Sequence, residues 1–167
     1  AIDSTGVLWG GCDPEGGIYK STNQGETWTN TLPSNDRILS ITVSPNNWIW
    51  AGTYDGEVVY SSDNGNTWNK DSLTNDIIWS IATNSLNHVF AGSMNSRIYR
   101  TIDLGVTWQL VCSTTLGIWD IVIDDQNNIY VTSWPKRLIS TDNGNSWITL
   151  GGGPEIHNMD LDKYHQF

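Results

Sequence analysis

A single short pattern returns four times along the 167 residues of this chain. It reads Ser21-Thr22-Asn23-Gln24-Gly25-Glu26-Thr27-Trp28, then Ser61-Ser62-Asp63-Asn64-Gly65-Asn66-Thr67-Trp68. The third copy is Thr101-Ile102-Asp103-Leu104-Gly105-Val106-Thr107-Trp108, and the fourth is Ser140-Thr141-Asp142-Asn143-Gly144-Asn145-Ser146-Trp147. The closing tryptophans lie 40, 40 and 39 residues apart. A period of that length marks one supersecondary unit copied along the chain, each copy burying a face that its neighbour supplies.

Aligned on the pattern, every repeat shows four strand-like runs. The first is Ile38-Leu39-Ser40-Ile41-Thr42-Val43, matched by Ile78 to Thr83, Ile118 to Ile123 and Ile156 to Leu161. The second is Trp48 to Gly52, matched by Val7 to Gly11, His88 to Gly92 and Asn128 to Thr132. The third is Glu57 to Ser61, matched by Ile18 to Ser21, Arg97 to Thr101 and Arg137 to Ser140. The fourth opens at the threonine or serine and the tryptophan of each motif. All are short, rich in β-branched and aromatic residues, and separated by Asn, Asp, Gly or Pro. No run has helical periodicity of useful length. The sequence therefore predicts an all-β chain: a β-propeller of four-stranded antiparallel blades, one domain over residues 1–167 carrying four repeats.

Each motif position has a structural task. The Asp or Asn (Asn23, Asp63, Asp103, Asp142) is expected at a tight turn, accepting hydrogen bonds from backbone N–H groups two residues on. The glycine two positions later (Gly25, Gly65, Gly105, Gly144) permits a positive φ that a Cβ would resist. The tryptophan (Trp28, Trp68, Trp108, Trp147) then packs its ring sideways into the blade sandwich. Burying an indole of about 200 Å² contributes up to about 5 kcal/mol.

The pattern Ser/Thr-x-Asp-x-Gly-x-Thr/Ser-Trp resembles the Asp-box, or bacterial neuraminidase repeat, of sialidases, xyloglucan-degrading hydrolases and sortilin-type receptors. Only the first copy departs, with Asn23 at the aspartate position. The resemblance implies a propeller with the boxes on its outer rim. It does not imply sialidase activity, because the box is a scaffold device shared by unrelated functions.

The two ends overlap in register. Ala1-Ile2-Asp3 matches Val122-Ile123-Asp124, the end of an innermost strand, while Ile156 to Asp162 supplies a complete one and Tyr164 to Phe167 begins the next. The spare strand would complete the first blade and close a four-bladed ring. Alternatively the chain belongs to a longer array, or joins a second copy in an eight-repeat ring. Propellers of the resembled family usually have more than four blades, so both readings stay open.

Composition narrows the function. Eight Lys and Arg stand against eighteen Asp and Glu, a formal net charge of −10. Such a chain is repelled by nucleic-acid phosphates and anionic lipid, and its apolar runs are too short to insert in a membrane. No basic, apolar signal segment opens it, so Ala1 reads as a mature terminus or as the point where a fragment was cut. Ten tryptophans, abundant Asn, Ser and Thr, and only four lysines suit an extracellular or cell-surface protein. Cys12 and Cys112 have no metal-binding spacing and are expected as free, half-buried thiols.

Catalytic chemistry finds little support. Sialidase catalysis needs three clustered arginines, and the chain has only Arg37, Arg97, Arg100 and Arg137, of which Arg97 and Arg137 read as one repeated strand position. Glycoside hydrolysis needs two carboxylates across a cleft; the candidates are Asp36, Asp55, Asp76, Asp120 and Glu155, with Asp36 and Asp76 recurring as turn residues. His88, His157 and His165 lie in no nucleophile or zinc pattern. Asp124-Asp125 and Asp160-Leu161-Asp162 could offer oxygens to calcium but lack a known loop spacing, and a solvated turn explains them. No catalytic residue, metal site or cofactor is assigned.

Aromatics give the best binding signal. Trp9, Trp50, Phe90 and Tyr130 share one core position, and Trp79 and Trp119 share another near the axis. Trp134 stands outside the register, beside Pro135 and Lys136, in a loop equivalent to Tyr54-Asp55-Gly56 and Met94-Asn95-Ser96. These loops share a propeller face with the segments entering each innermost strand. An exposed aromatic among polar groups offers a stacking surface to a sugar ring or to a partner's anchor residue; the structural alternative folds Trp134 back over a blade edge. The predicted ligand-binding set is Trp134, Tyr54, Asp55, Asn95, Lys136 and Arg37. The functional expectation is a non-catalytic module recognising a glycan or protein. The alternatives are the scaffold of a secreted glycoside hydrolase, or a subunit of a surface assembly joined through unpaired end strands.

Overall fold

A computed structural model describes residues 1–115, 117–133, 135–151 and 159. It is an all-β propeller arc. The first sheet holds β1 (Leu8–Gly11), β2 (Ile18–Ser21) and β3 (Thr29–Leu32). The second holds β4 (Ile38–Val43), β5 (Ile49–Thr53), β6 (Glu57–Ser61) and β7 (Asn69–Ser72). The third holds β8 (Ile78–Thr83), β9 (Val89–Ser93), β10 (Arg97–Thr101) and β11 (Gln109–Ser113). The fourth holds β12 (Asp120–Ile123), β13 (Ile129–Ser133), β14 (Lys136–Ser140) and β15 (Ile148–Leu150). Within each sheet the strands pair antiparallel in sequence order.

The predicted register of the first blade holds. Ile2 bridges to Leu8, as Val43 pairs with Ile49, Thr83 with Val89 and Ile123 with Ile129. The remaining strand predicted for this position, Ile156 to Leu161, lies outside the described residues apart from Met159. The outermost strands start one residue after each motif tryptophan, and β12 begins at Asp120 instead of Ile118.

Strand alternation sends neighbouring residues to opposite sheet faces, so a sheet between two others is apolar on both. Thus β5 and β9 are buried throughout. The cores lie between blades. Trp9 and Ile18 of the first blade meet Ile38, Ile49, Ala51 and Val59 of the second. Trp50 and Val58 meet Ile78, Ile81, Val89 and Ala91. Phe90 and Ile98 meet Ile118, Ile121, Ile129, Val131 and Leu138.

Two hydrogen-bond series tie blade to blade. Along the innermost strands, Ile81 N–H donates to Ser40 Oγ at 2.9 Å, Ile121 N–H to Ser80 Oγ at 3.0 Å and Met159 N–H to Asp120 Oδ2 at 2.8 Å. At the following turns, Ser4, Asn46 and Ser85 N–H groups donate to the side-chain oxygens of Asn47, Asn87 and Asn127. These three asparagines stand at φ near 62–65°, a left-handed conformation that Asn tolerates.

The motif works differently from the expectation. The Asp63 carboxylate accepts from Thr67 N–H at 2.8 Å, four residues on and not two, and also from the Ser61 and Thr67 hydroxyls at 2.8 and 2.7 Å. Ser61 Oγ in turn accepts from Gly65 N–H at 2.9 Å. Asp103 and Asp142 repeat the network. Asn23 keeps the acceptor oxygen, but its amide donates to Thr27 Oγ1 where the carboxylates accept.

The tryptophans also reach further than expected. Trp68 and Trp108 do not simply fill their own blades: their indole N–H groups bond Thr31 O and Asp71 Oδ2 of the preceding outer strand, each at 3.1 Å. Trp28 stays in its own blade, bonded to Gly25 O and 46% exposed.

The register of β14 corrects one alignment. Arg97 precedes Ile98, which pairs with Gly92, while Arg137 itself pairs with Thr132, the residue equivalent to Gly92. Arg97 therefore corresponds to Lys136, and Arg137 stands where Ile18, Val58 and Ile98 are buried. The shortening that makes the last motif step 39 residues falls in the β13–β14 hairpin.

Candidate functional site

The β5–β6 and β9–β10 hairpins meet the segments that lead into β4 and β8. Tyr54 N–H donates to Arg37 O at 2.9 Å, and Met94 N–H to Ile77 O at 3.0 Å. One face of the arc therefore collects two of the three loops that the sequence singled out. Tyr54 and Met94, at equivalent positions, are 40% and 44% exposed. A large apolar side chain kept at a loop tip in consecutive blades is not needed by any of the three cores.

Arg37 and Tyr54 are brought together. The guanidinium carbon sits 4.0 Å from the ring centroid, a cation–π arrangement, while the guanidinium also binds both oxygens of Asp13. That hydrogen bonding holds the Asp13 carboxyl below its ordinary range and raises the guanidinium. Asp55, Asn95 and Lys136 are exposed on their hairpins. Asn95 N–H donates to the Asp76 carboxylate. Trp134 and Glu155 lie outside the described residues, as do His157 and His165.

The remaining carboxylates of this face have structural partners. Lys70 bridges Asp36 and Glu57, each at 2.9 Å. Asp120 accepts from Ser80 Oγ, Ile121 N–H and Met159 N–H. On the opposite face, Asp124 spends both oxygens on its own turn and strand, accepting from Gln126 N–H, Asn128 N–H and Nδ2, and Tyr130 OH. Among the described residues, no three His, Cys, Asp or Glu side chains converge as a metal site would require. Cys12 and Cys112 are free and half-buried.

One aromatic pair differs from the sequence reading. Trp79 and Trp119 come from neighbouring blades, meet edge to face with centroids 5.7 Å apart, and are only half-buried. The β8–β9 register slips between Ile78 and Ser80, so Trp79 occupies a bulge that takes it out of strand alternation. Sequence register shows that the two tryptophans are equivalent, but not that a bulge re-aims them.

No protein-family model matches the chain, and no curated protein matches it. Among solved structures it is similar to an ancestral GH74 enzyme, with 27% identity and a TM-score of 0.72 over 84% of this chain and 22% of that one. The extracellular domain of a one component system from B. thetaiotaomicron gives 16% identity and a TM-score of 0.75 over 95% of this chain and 24% of that one. A catalytically inactive virginiamycin B lyase from Staphylococcus aureus, solved with quinupristin, gives 19% identity and a TM-score of 0.79 over 94% of this chain and 56% of that one. These structures are β-propellers, and the chain spans between 22% and 56% of their lengths.

Proposed function

We propose that this chain is the recognition part of an extracytoplasmic Asp-box propeller, binding a glycan or a protein partner through the face that carries Tyr54, Met94 and the β13–β14 hairpin. Catalysis is not part of this reading. The observation that carries it is the Arg37–Tyr54 stack: an exposed ring and a cation held together beside Asp55, on a face where Met94 repeats the exposed position. Aromatic and Arg side chains are the usual anchors of recognition surfaces. Trp134, Asn95 and Lys136 extend the same surface by their place in the equivalent hairpins. The test is a screen of immobilised glycans and candidate surface proteins with the wild-type chain, Tyr54→Ala and Trp134→Ala. Binding lost in these variants with unchanged thermal unfolding supports the reading; binding indifferent to both sinks it.

A second reading, the scaffold of a secreted glycoside hydrolase, draws on the likeness to the GH74 enzyme, of which this chain spans 22%. Release of sugars from a polysaccharide panel by the complete natural polypeptide would favour it. A third, a subunit of a larger ring or surface assembly, draws on the bare end faces, where Trp28 is 46%, Ile148 58% and Leu150 43% exposed. Native mass spectrometry separates it from the others.

A further inference from the structure

Neighbouring blades of this chain meet in one repeated way. A ring of one blade (Trp9, Trp50, Phe90) lies under the motif glycine of the next (Gly65, Gly105, Gly144), within 3.3 Å of where a Cβ would stand. Trp9 with Trp68 and Trp50 with Trp108 then meet edge to face, their centroids 6.4 and 6.3 Å apart. The first blade offers the glycine side of this joint, and among the described residues nothing fills it. A Cβ on Gly25 would find only Leu8 and Trp28 of its own blade within 4 Å. The fourth blade offers the ring side. Tyr130 stands at the ring position, paired with Ile139 and through it with Ile148, and Arg137 pairs with Leu150. Cross-strand partners share a sheet face, so these residues lie on one side of the blade.

The two sides depart from the repeat in opposite directions. Across their interfaces Ile18 shares a core with Ala51 and Val59, Val58 with Ala91, and Ile98 with Val131 and Leu138. On the fourth blade Arg137 replaces that Ile or Val, and on the first blade Gly10 replaces that Ala or Val. One end is enlarged where the other is reduced. A hollow of about 290 Å³ opens at Gly10, walled by Gly11, Cys12, Tyr19 and Trp28. Cys12 Sγ donates to the exposed Glu15, which puts a carboxylate at the edge of the hollow. Among the described residues the Arg137 guanidinium has neither ion pair nor hydrogen bond.

We propose that the fourth blade of one copy covers the first blade of a second copy, head to tail. Arg137 enters the Gly10–Tyr19 hollow of the second copy beside Glu15, and Tyr130 lies under its Gly25. An Arg held on an aromatic ring and against a carboxylate is a strong pair, and the chain already uses one at Arg37, Tyr54 and Asp13. A further repeat of the usual pattern would set Ala or Val against Arg137, whereas the glycine that makes room for it stands on this chain's own first blade. The axial strands agree: Met159 N–H bonds Asp120 as Ile121 N–H bonds Ser80, where the innermost strand of a following blade belongs. The edge strand β1 is met on its axial side only by Ala1 and Ile2 among the described residues. Such a contact is heterologous, and two copies close into an eight-repeat ring when their rotation completes the circle. The proposal rests on the assembly reading above and gives it a partner and an interface.

Native mass spectrometry and sedimentation of the whole chain should show twice the chain mass. Arg137→Glu should weaken the association roughly tenfold or more, the scale of one lost charge-assisted contact, and adding Glu15→Arg should restore it. Gly10→Val imitates Val131; its Cβ makes ordinary contact with Trp28 at 3.5 Å, so the fold should keep its circular dichroism while the filled hollow weakens association. Paired copies indifferent to Arg137→Glu and Gly10→Val overturn these faces and leave assembly through another surface. A natural polypeptide whose own further repeats cover both ends overturns the second copy. A monomer at every concentration overturns the assembly reading as well.

Discussion

A Cβ built on Gly65 would lie 2.8 Å from Cη2 of Trp9, a residue of the preceding blade. The motif glycine is therefore also a fitting between blades: its bare backbone lets the neighbouring ring slide beneath the turn. Gly105 sits against Trp50 at 3.3 Å and Gly144 against Phe90 at 2.9 Å, whereas Gly25 meets nothing nearer than Leu8 of its own blade at 3.7 Å. Gly65→Ala should cost about 2–4 kcal/mol, combining a positive φ of 80° with overpacking. Gly25→Ala has only the φ penalty and should cost about 1 kcal/mol. Urea unfolding of the two variants measures the contrast; equal losses would refute the inter-blade role.

Acid should unlatch the turns. Hydroxyl and backbone hydrogen bonds from Thr67 and Ser146 hold Asp63 and Asp142 at about 2, below the ordinary carboxylate value of 3.8. Depressed carboxylates stabilise the fold above the unfolded value and lose that contribution as pH falls through the folded one. Stability should therefore drop between about pH 4 and pH 2. Asp63→Asn imitates Asn23 and should flatten part of that drop, which denaturant midpoints at several pH values would reveal.

Ser80 links blades through a single hydroxyl, accepting Ile121 N–H at 3.0 Å and donating to Asp120 Oδ1 at 3.0 Å. Ser80→Ala leaves the Ile121 amide only the Asp120 carboxylate as acceptor and should cost about 0.5–1.5 kcal/mol. Amide exchange at Ile121 should accelerate while that at Ile41, in an earlier blade, stays slow.

Leu104 holds a φ of 58° at the position that Asn64 and Asn143 occupy at 62°. Asn adopts this left-handed conformation more readily than Leu does. Leu104→Asn should raise stability by up to about 1 kcal/mol, a rise in the thermal midpoint that calorimetry can detect. A fall would mean that the Leu104 side chain contributes more by packing than its backbone costs.

Arg137 and Trp134 mark how far the site could be read in advance. Tyr54 and Met94 are legible in the sequence as equivalent loop residues of consecutive repeats, and Trp134 as the aromatic outside that register. Trp79 looked like core, since a bulge leaves no mark in the alternation of Ile78, Ser80 and Ile81. Arg97 and Arg137 looked equivalent because a shortened hairpin cannot be placed from motif spacing alone; the cross-strand pairs Ile98–Gly92 and Arg137–Thr132 separate them.

The chain by itself determined the strands, the turns and the propeller, because these depend on alternation, on Asn, Asp and Gly at turns, and on a motif repeated about every 40 residues. Such signals act within a few residues and survive being read locally. Only the tertiary structure decided which blade each tryptophan serves and which carboxylates are already engaged. Those outcomes depend on contacts between residues some 37 to 41 positions apart, as in Trp68 with Thr31 and Ile81 with Ser40. There the fit of one sheet face against the next sets the partner, and a one-residue change in a hairpin alters it.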